Sequence, residues 1–174
     1  MNRRSFMISM GGGAVAASLG CSRPGALAIP PHLKGREDLF AKDPRAAALA
    51  WFREARFGLF IHYGLYSLLG KGEWVQFHER IPIAEYAKLK ERFTAEKFDA
   101  RAIAAMAEGA GMRYVTLVCK HCDSFCLWDT RATDFNSVNS PAKRDLVAEM
   151  ADACRERGLG FFAFYEHGFD WRHP

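Results

Sequence analysis

The stretch Gly111–Trp128 reads GMRYVTLVCKHCDSFCLW, and the fold turns on how it is read. Tyr114 to Cys119 is an apolar, β-branched run of strand length, preceded by Gly109 and Gly111 and followed by the polar run Lys120-His121-Cys122-Asp123. A continuous apolar run of this kind suits a strand buried on both faces, as in a parallel sheet. In α/β folds, ligand sites collect beyond the C-terminal ends of such strands. Lysine, histidine, cysteine and aspartate in succession therefore stand where chemistry is done. The plainer alternative is a polar loop that merely solvates the strand end.

Working outward, two more apolar runs carry polar ends. Phe57 to His62 is a strand closing on a histidine, and Leu159 to Tyr165 is a strand running into Glu166-His167-Gly168. Helical patterns separate the three. Asp43-Pro44 supplies an N-cap and a first-turn proline for a helix from Arg45 to Glu54. Pro82 opens a short helix to about Glu91. Asp99 caps another, with Ile103, Met106, Ala107 and Ala110 on one face. Ser140-Pro141 opens a helix whose stripe is Leu146, Val147, Met150, Ala151 and Cys154, stopped by Gly158. Strand, helix, strand, helix, strand, with long crossovers, predicts parallel pairing. Parallel pairing puts His62, His121, Tyr165 and Glu166 at one end of the sheet, where their side chains are expected to converge.

Residues 1–28 read as a targeting segment. Asn2-Arg3-Arg4-Ser5-Phe6-Met7 resembles a twin-arginine export signal, followed by a glycine-rich apolar stretch too short for a comfortable membrane span. Ala26-Leu27-Ala28 predicts cleavage before Ile29 and a periplasmic or extracellular destination. A competing reading makes Cys21 a lipidated N-terminus, although Ser18 stands where the usual motif has an aliphatic residue. Pro30-Pro31 to Lys42 reads as an extended lead-in. The expected organisation is a leader over 1–28, a lead-in and helix start over 29–50, and an α/β body over 51–174.

Composition is that of a globular domain, 49% hydrophobic and 25% charged. Removing Arg3, Arg4 and Arg23 of the leader from the formal +4 leaves a body at +1, which gives no reason to expect a nucleic-acid partner. Cys119, Cys122 and Cys126 with His121 look superficially like a zinc or redox cluster. Structural zinc sites pair two separated ligand groups, and only Cys154 lies beyond this one in the body. No metal and no cofactor is expected.

Five blocks, in this order, carry a resemblance. They are Phe57-Gly58-Leu59-Phe60-Ile61-His62-Tyr63-Gly64, Glu73-Trp74, Phe93-Thr94-Ala95-Glu96-Lys97-Phe98-Asp99, Lys120-His121-Cys122-Asp123-Ser124-Phe125 and Lys143-Arg144-Asp145-Leu146-Val147. Together they resemble the α-L-fucosidases of glycoside hydrolase family 29. The resemblance implies the N-terminal portion, about three β/α units, of a (β/α)8 TIM barrel that holds a terminal α-L-fucose of a fucosylated glycan at its strand ends. His62 resembles the family's sugar-binding histidine after the first strand, and Glu73-Trp74 its glutamate–tryptophan pair. His121 resembles the first of two adjacent histidines, and Tyr165 a tyrosine closing the third strand. The second histidine is Cys122 here, a weaker hydrogen-bonding group than imidazole. The glycine of that motif is Ser124, and Glu166 stands where the family has serine.

The family's retaining mechanism uses an aspartate nucleophile and a separate acid about 5–5.5 Å apart. By the resemblance, both are expected beyond Pro174, because a barrel of this type needs ~250 residues. Three readings follow: the amino-terminal part of an exported fucosidase, a truncated product that binds sugar weakly or is inactive, and a zinc or redox module.

Overall fold

The structure, a computed structural model, describes residues 28–173. Three parallel strands form one sheet in the order β1 (Gly58–Ile61), β2 (Tyr114–Lys120), β3 (Gly160–Tyr165). The parallel pairing expected from the crossovers is present, with Gly58, Tyr114 and Gly160 in one row and Ile61, Leu117 and Ala163 in another. The α/β class read from the sequence is therefore the observed one.

Helices α1 (Glu37–Lys42) and α2 (Pro44–Ala55) precede β1. Between β1 and β2 lie α3 (Val75–His78), α4 (Ile83–Ala87) and α5 (Ala100–Gly109), and α6 (Leu146–Glu156) connects β2 to β3. Asp43, Asp99 and Asp145 cap α2, α5 and α6 by accepting from the amides of Ala46, Ala102 and Ala148 at 2.9, 2.9 and 2.8 Å. Each replaces a partner that the first helical turn lacks.

The core lies between one face of the sheet and the pair α5–α6. Val115 and Leu117 of β2 meet Ala104 and Ala107 of α5 and Leu146, Met150 and Cys154 of α6, all fully buried. Burial of a side chain such as Leu146 or Met150 is worth about 1.5–3 kcal/mol. The small alanines on α5 let that helix sit close to the strands. On the other face α2 crosses the N-terminal end of the sheet, and Trp51 packs against Tyr114 and Phe162 with ring centroids 6.5 and 6.3 Å apart. Two glycines make room there. A Cβ on Gly160 would stand 2.4 Å from the Trp51 ring, and one on Gly58 2.3 Å from that of Tyr114. Further up this face, Phe60 and Phe162 remain half exposed.

Three sequence expectations need correction. Residues 30–42 are not extended: a 3-10 turn, Pro31–Leu33, and α1 occupy most of them. The helix expected from Ser140-Pro141 begins only at Leu146, because the Ser140 hydroxyl instead bonds the carbonyls of Phe93 (3.1 Å) and Ser137 (2.7 Å). Lys143 there takes a positive φ of 53°, which breaks any helix. The helix expected from Pro82 to Glu91 is split into α4 and a 3-10 segment, Lys88–Arg92. Expectations for the leader, including Arg3-Arg4 and Cys21, lie outside the described residues.

Candidate functional site

The C-terminal ends of β1 and β2 deliver His62 and His121, each one residue beyond its strand, with imidazole centroids 5.5 Å apart and nearly edge-on. His121 is the hub. Besides His62, the rings of Tyr66 and Trp74 approach it at 5.8 and 6.1 Å, both edge-on. Tyr66 comes from a 3-10 turn, Leu65–Leu68, in the loop after β1. Trp74 is held at the start of α3, its carbonyl accepting from the amides of Phe77 and His78 at 3.0 Å. Val75 and Gln76 are buried and anchor that turn, leaving the Trp74 indole partly exposed.

Electrostatics follow from burial. His121 is 6% exposed, and burial together with neighbouring His62 holds its pKa below the usual imidazole range, against the opposing carboxylates of Glu73 and Glu166. A neutral imidazole offers one donor and one acceptor. The Nδ1 of His121 and the hydroxyl of Tyr66 are buried and have no protein hydrogen-bond partner. Burial, Asp123 and Glu73 push the Tyr66 phenol well above its ordinary range, so it stays a neutral hydroxyl. Buried polar groups are nearly always paired, and an unpaired one at a strand end is a place to look for ligand or water.

The four residues of the run 120–123 separate sharply. Lys120, buried, pairs with Asp170 at 3.0 Å and donates to the Glu166 carbonyl at 2.8 Å. Asp123 is buried, accepting from the Tyr86 hydroxyl at 2.9 Å and the Phe125 amide at 3.1 Å, and burial pushes its pKa up to about 6. Cys122 is buried, its carbonyl accepting from the Trp171 amide at 2.8 Å, and its thiol is pushed up to about 11. Such a thiol stays protonated and is no redox nucleophile. Only His121 of the four joins the cluster of rings. Cys119, Cys122, Cys126 and Cys154 are all free and buried, and among the described residues no three histidines, cysteines or carboxylates are grouped to hold a metal ion. Among the described residues the zinc reading thus finds no ligand set.

Tyr165 lies on another side of the strand ends. Its ring neighbours are Trp128 at 6.2 Å, His167 at 6.4 Å and the Lys120 ammonium at 5.0 Å. It lines a separate recess of ≈ 170 Å³ with Lys120, Trp128 and Asp170. His62, Trp74 and His121 are therefore brought together, Glu73 acts on His121 and Tyr66 through its charge, and Tyr165 stands apart from them.

Sequence reasoning missed four aromatic residues. Tyr66 falls between the blocks Phe57–Gly64 and Glu73-Trp74. Trp171, Phe169 and Phe77 surround the outer edge of Trp74, with centroids at 5.5, 6.4 and 6.1 Å. A recess of ≈ 510 Å³ between α5 and α6 is lined by Arg144 and Glu149, but Arg144 is already bonded to the carbonyls of Ala95 and Phe98 and to Glu149.

Comparison with known proteins bears on this arrangement. A family description, "Alpha-L-fucosidase", matches residues 38–174. Human plasma alpha-L-fucosidase is 33% identical over 163 residues, covering 83% of this chain and 35% of that protein. Alpha-L-fucosidase isoenzyme 1 from Paenibacillus thiaminolyticus superposes with a TM-score of 0.71 at 45% identity, over 75% of this chain and 31% of its own. A Lactobacillus casei alpha-L-fucosidase, solved in complex with alpha-L-fucose product, gives a TM-score of 0.68 at 38% identity, over 72% and 42%. The chain spans about a third of the length of the curated relatives it matches. With the family pattern running from residue 38 to residue 174 and the fold agreeing, this chain belongs to the α-L-fucosidase family.

Proposed function

We propose that the chain supplies the fucose-recognising third of a retaining α-L-fucosidase that releases terminal α-L-fucose from glycans. One observation carries this reading: three side chains from the loop after β1, His62, Tyr66 and Trp74, converge on His121 at the end of β2. In this reading His62 and His121 bond the sugar hydroxyls, Glu73 accepts from them, and the Trp74 indole covers the apolar face of the ring. Tyr66 joins them as a neutral hydroxyl donor, while Cys122, fully buried, and Tyr165, in its separate recess, stand outside this set. No cofactor enters, because glycoside hydrolysis by two carboxylates needs none.

We place the nucleophile and the proton donor outside residues 1–174, on later strands of a TIM barrel of which residues 51–174 form the first three units. Two carboxylates beyond the strand ends are already engaged within the fold, Asp123 with Tyr86 and Asp170 with Lys120, which supports this. Export through the Arg3-Arg4 signal, with cleavage after Ala28, completes the reading, supported by the order of arginine pair, apolar stretch and Ala26-Leu27-Ala28. Sugar binding without turnover is the second reading, favoured by the engagement of Asp123 and Asp170 within the fold.

The test is nitrophenol release from nitrophenyl α-L-fucoside, with the product anomer followed by NMR. The intact gene product is expected to turn over with retention, and residues 29–174 alone are expected to give none. Turnover by residues 29–174 that disappears in Glu73→Gln or Glu166→Gln would place the catalytic carboxylates within this chain and overturn the assignment.

A further inference from the structure

The recess that holds Tyr165 differs in chemistry from the His121 cluster. It encloses ≈ 170 Å³ and is walled by Trp128, Phe135 and Tyr165, with Thr130, Thr133 and Arg172 between them. It lies at the same strand ends, because Lys120 lines it and His121 follows Lys120 directly. Its charges do not cancel. Lys120 and Asp170 neutralise one another at 3.0 Å, and the other Asp170 oxygen already accepts from the Ser124 hydroxyl and the Arg172 amide. The Arg172 guanidinium is left over, stacked on the Phe135 ring at 3.9 Å. Arg36, Arg101, Arg144, Arg155 and Arg157 each hold a carboxylate, whereas Arg172 forms no ion pair among the described residues. Its Nη1 is buried without a partner, and no other arginine nitrogen of the described residues is in that state. An unpaired buried donor on a charged group is costly, and an ion that meets it removes the cost.

We infer that this recess binds an oxyanion, the sulfate ester or carboxylate of an acidic glycan. A guanidinium presents its N–H groups in a planar fork that matches either oxyanion. Stacking on Phe135 fixes the plane of that fork, so little is lost in ordering it when the anion arrives. The Thr130 and Thr133 hydroxyls accept from the amides of Ala132 and Phe135 at 3.2 and 3.1 Å, which leaves their own protons to donate. Trp128 and Tyr165, edge-on at 6.2 Å, give the apolar wall that a sugar ring carrying the anion packs against. Anion binding here stands independently of the fucosidase reading. That a glycan bears the anion rests on that reading, and adds to it a preference for charged over neutral sugars.

The experiment is calorimetric titration of the intact gene product with two charged sugars, glucose sulfated on its primary hydroxyl and methyl glucuronide. Neutral methyl glucoside is the control, and L-fucose is titrated alongside. At least one charged sugar is expected to bind about tenfold more tightly than methyl glucoside. Arg172→Met, which keeps a stem over Phe135 and removes the charge, should erase that preference while leaving L-fucose affinity within about twofold. Arg172→Lys keeps the charge but not the fork, and should retain part of the preference. If Arg172→Met does not fold, Arg172→Gln takes its place, and the wild-type comparison of charged with neutral sugars stands in either case. A preference for the sulfate alone assigns the recess to sulfate esters, and one for the glucuronide alone to carboxylates. Equal affinity for charged and neutral sugars, or a preference unchanged in Arg172→Met, overturns the inference while leaving the fucose site standing. A charge preference without any binding of L-fucose defeats the fucosidase reading and leaves the anion recess standing.

Discussion

The ammonium of Lys120 lies 3.0 Å from the Asp170 carboxylate and ties the loop after β3 to the last residue of β2. The side chains are 5% and 21% exposed, so the pair is largely withdrawn from water. Ser124 bonds the same carboxylate, and the Arg172 amide reaches it at 3.0 Å. Trp171, one residue on, thereby comes to rest against Trp74 and the Cys122 carbonyl. A structural pair thus shapes the mouth of the site.

Breaking this pair on one side leaves a charge with reduced compensation. Lys120→Met is expected to cost about 3 kcal/mol, and adding Asp170→Leu should restore part of it, since removing both charges avoids the unpaired one. Chemical denaturation of the single and double variants measures this. Equal loss in both would show that packing, and not the charge pair, holds the loop.

Asp123 gives a pH signature. Its folded pKa is raised by burial to about 6, above the ordinary 3.8, so between those values the native protein binds more protons than the unfolded chain. The resulting stability is fully present below about pH 4 and is lost as pH rises through 6. His121 has the opposite sign: its lowered pKa gives stability at neutral pH that is lost as pH falls below the usual imidazole range. Asp123→Asn removes the carboxyl titration and keeps one acceptor, its amide oxygen, for the two donors Tyr86 and Phe125. Whatever the lost acceptor costs, the stability of the variant relative to wild type should rise by on the order of 2–3 kcal/mol between pH 4 and pH 7. A difference that does not change with pH would contradict the burial assigned to this group.

The close approach of Trp51 to Gly160 makes a packing prediction. With a Cβ 2.4 Å from the indole, Gly160→Ala must push the ring or the helix bearing it, at a cost of about 1–3 kcal/mol. Gly109→Ala, where nothing lies within 4 Å of the added methyl, should cost far less. Thermal melts of the two variants compare them directly, and equal melting temperatures would mean that α2 does not seat on the sheet as described.

Much of the architecture was legible because it rests on local patterns. The apolar run 114–119 marked the central strand, and Asp43-Pro44 and Asp99 marked helix starts by the chemistry of capping. Ser140-Pro141 carried the same signals and misled, since the Ser140 hydroxyl is drawn off by Phe93, which is distant in sequence. The site was legible where strand ends dictate position, as for His62 and His121. In the run 120–123 four chemically capable residues looked alike. Tertiary partners sort them, with Lys120 going to Asp170, Asp123 to Tyr86, and His121 alone to the cluster. Trp171 and Phe77 were illegible for the same reason: no sequence rule tells which aromatics of two separate loops will meet.

The most direct measurement of the central claim is the affinity of the intact gene product for L-fucose, by calorimetry or by the fluorescence of Trp74 and Trp171. His62→Ala, Glu73→Ala and His121→Ala each remove a group that we propose faces the sugar. Each is expected to weaken binding by about 1.5–3 kcal/mol, roughly ten- to a hundredfold, with circular dichroism unchanged. Unchanged affinity for L-fucose in all three folded variants would show that the ring cluster around His121 is not the sugar site.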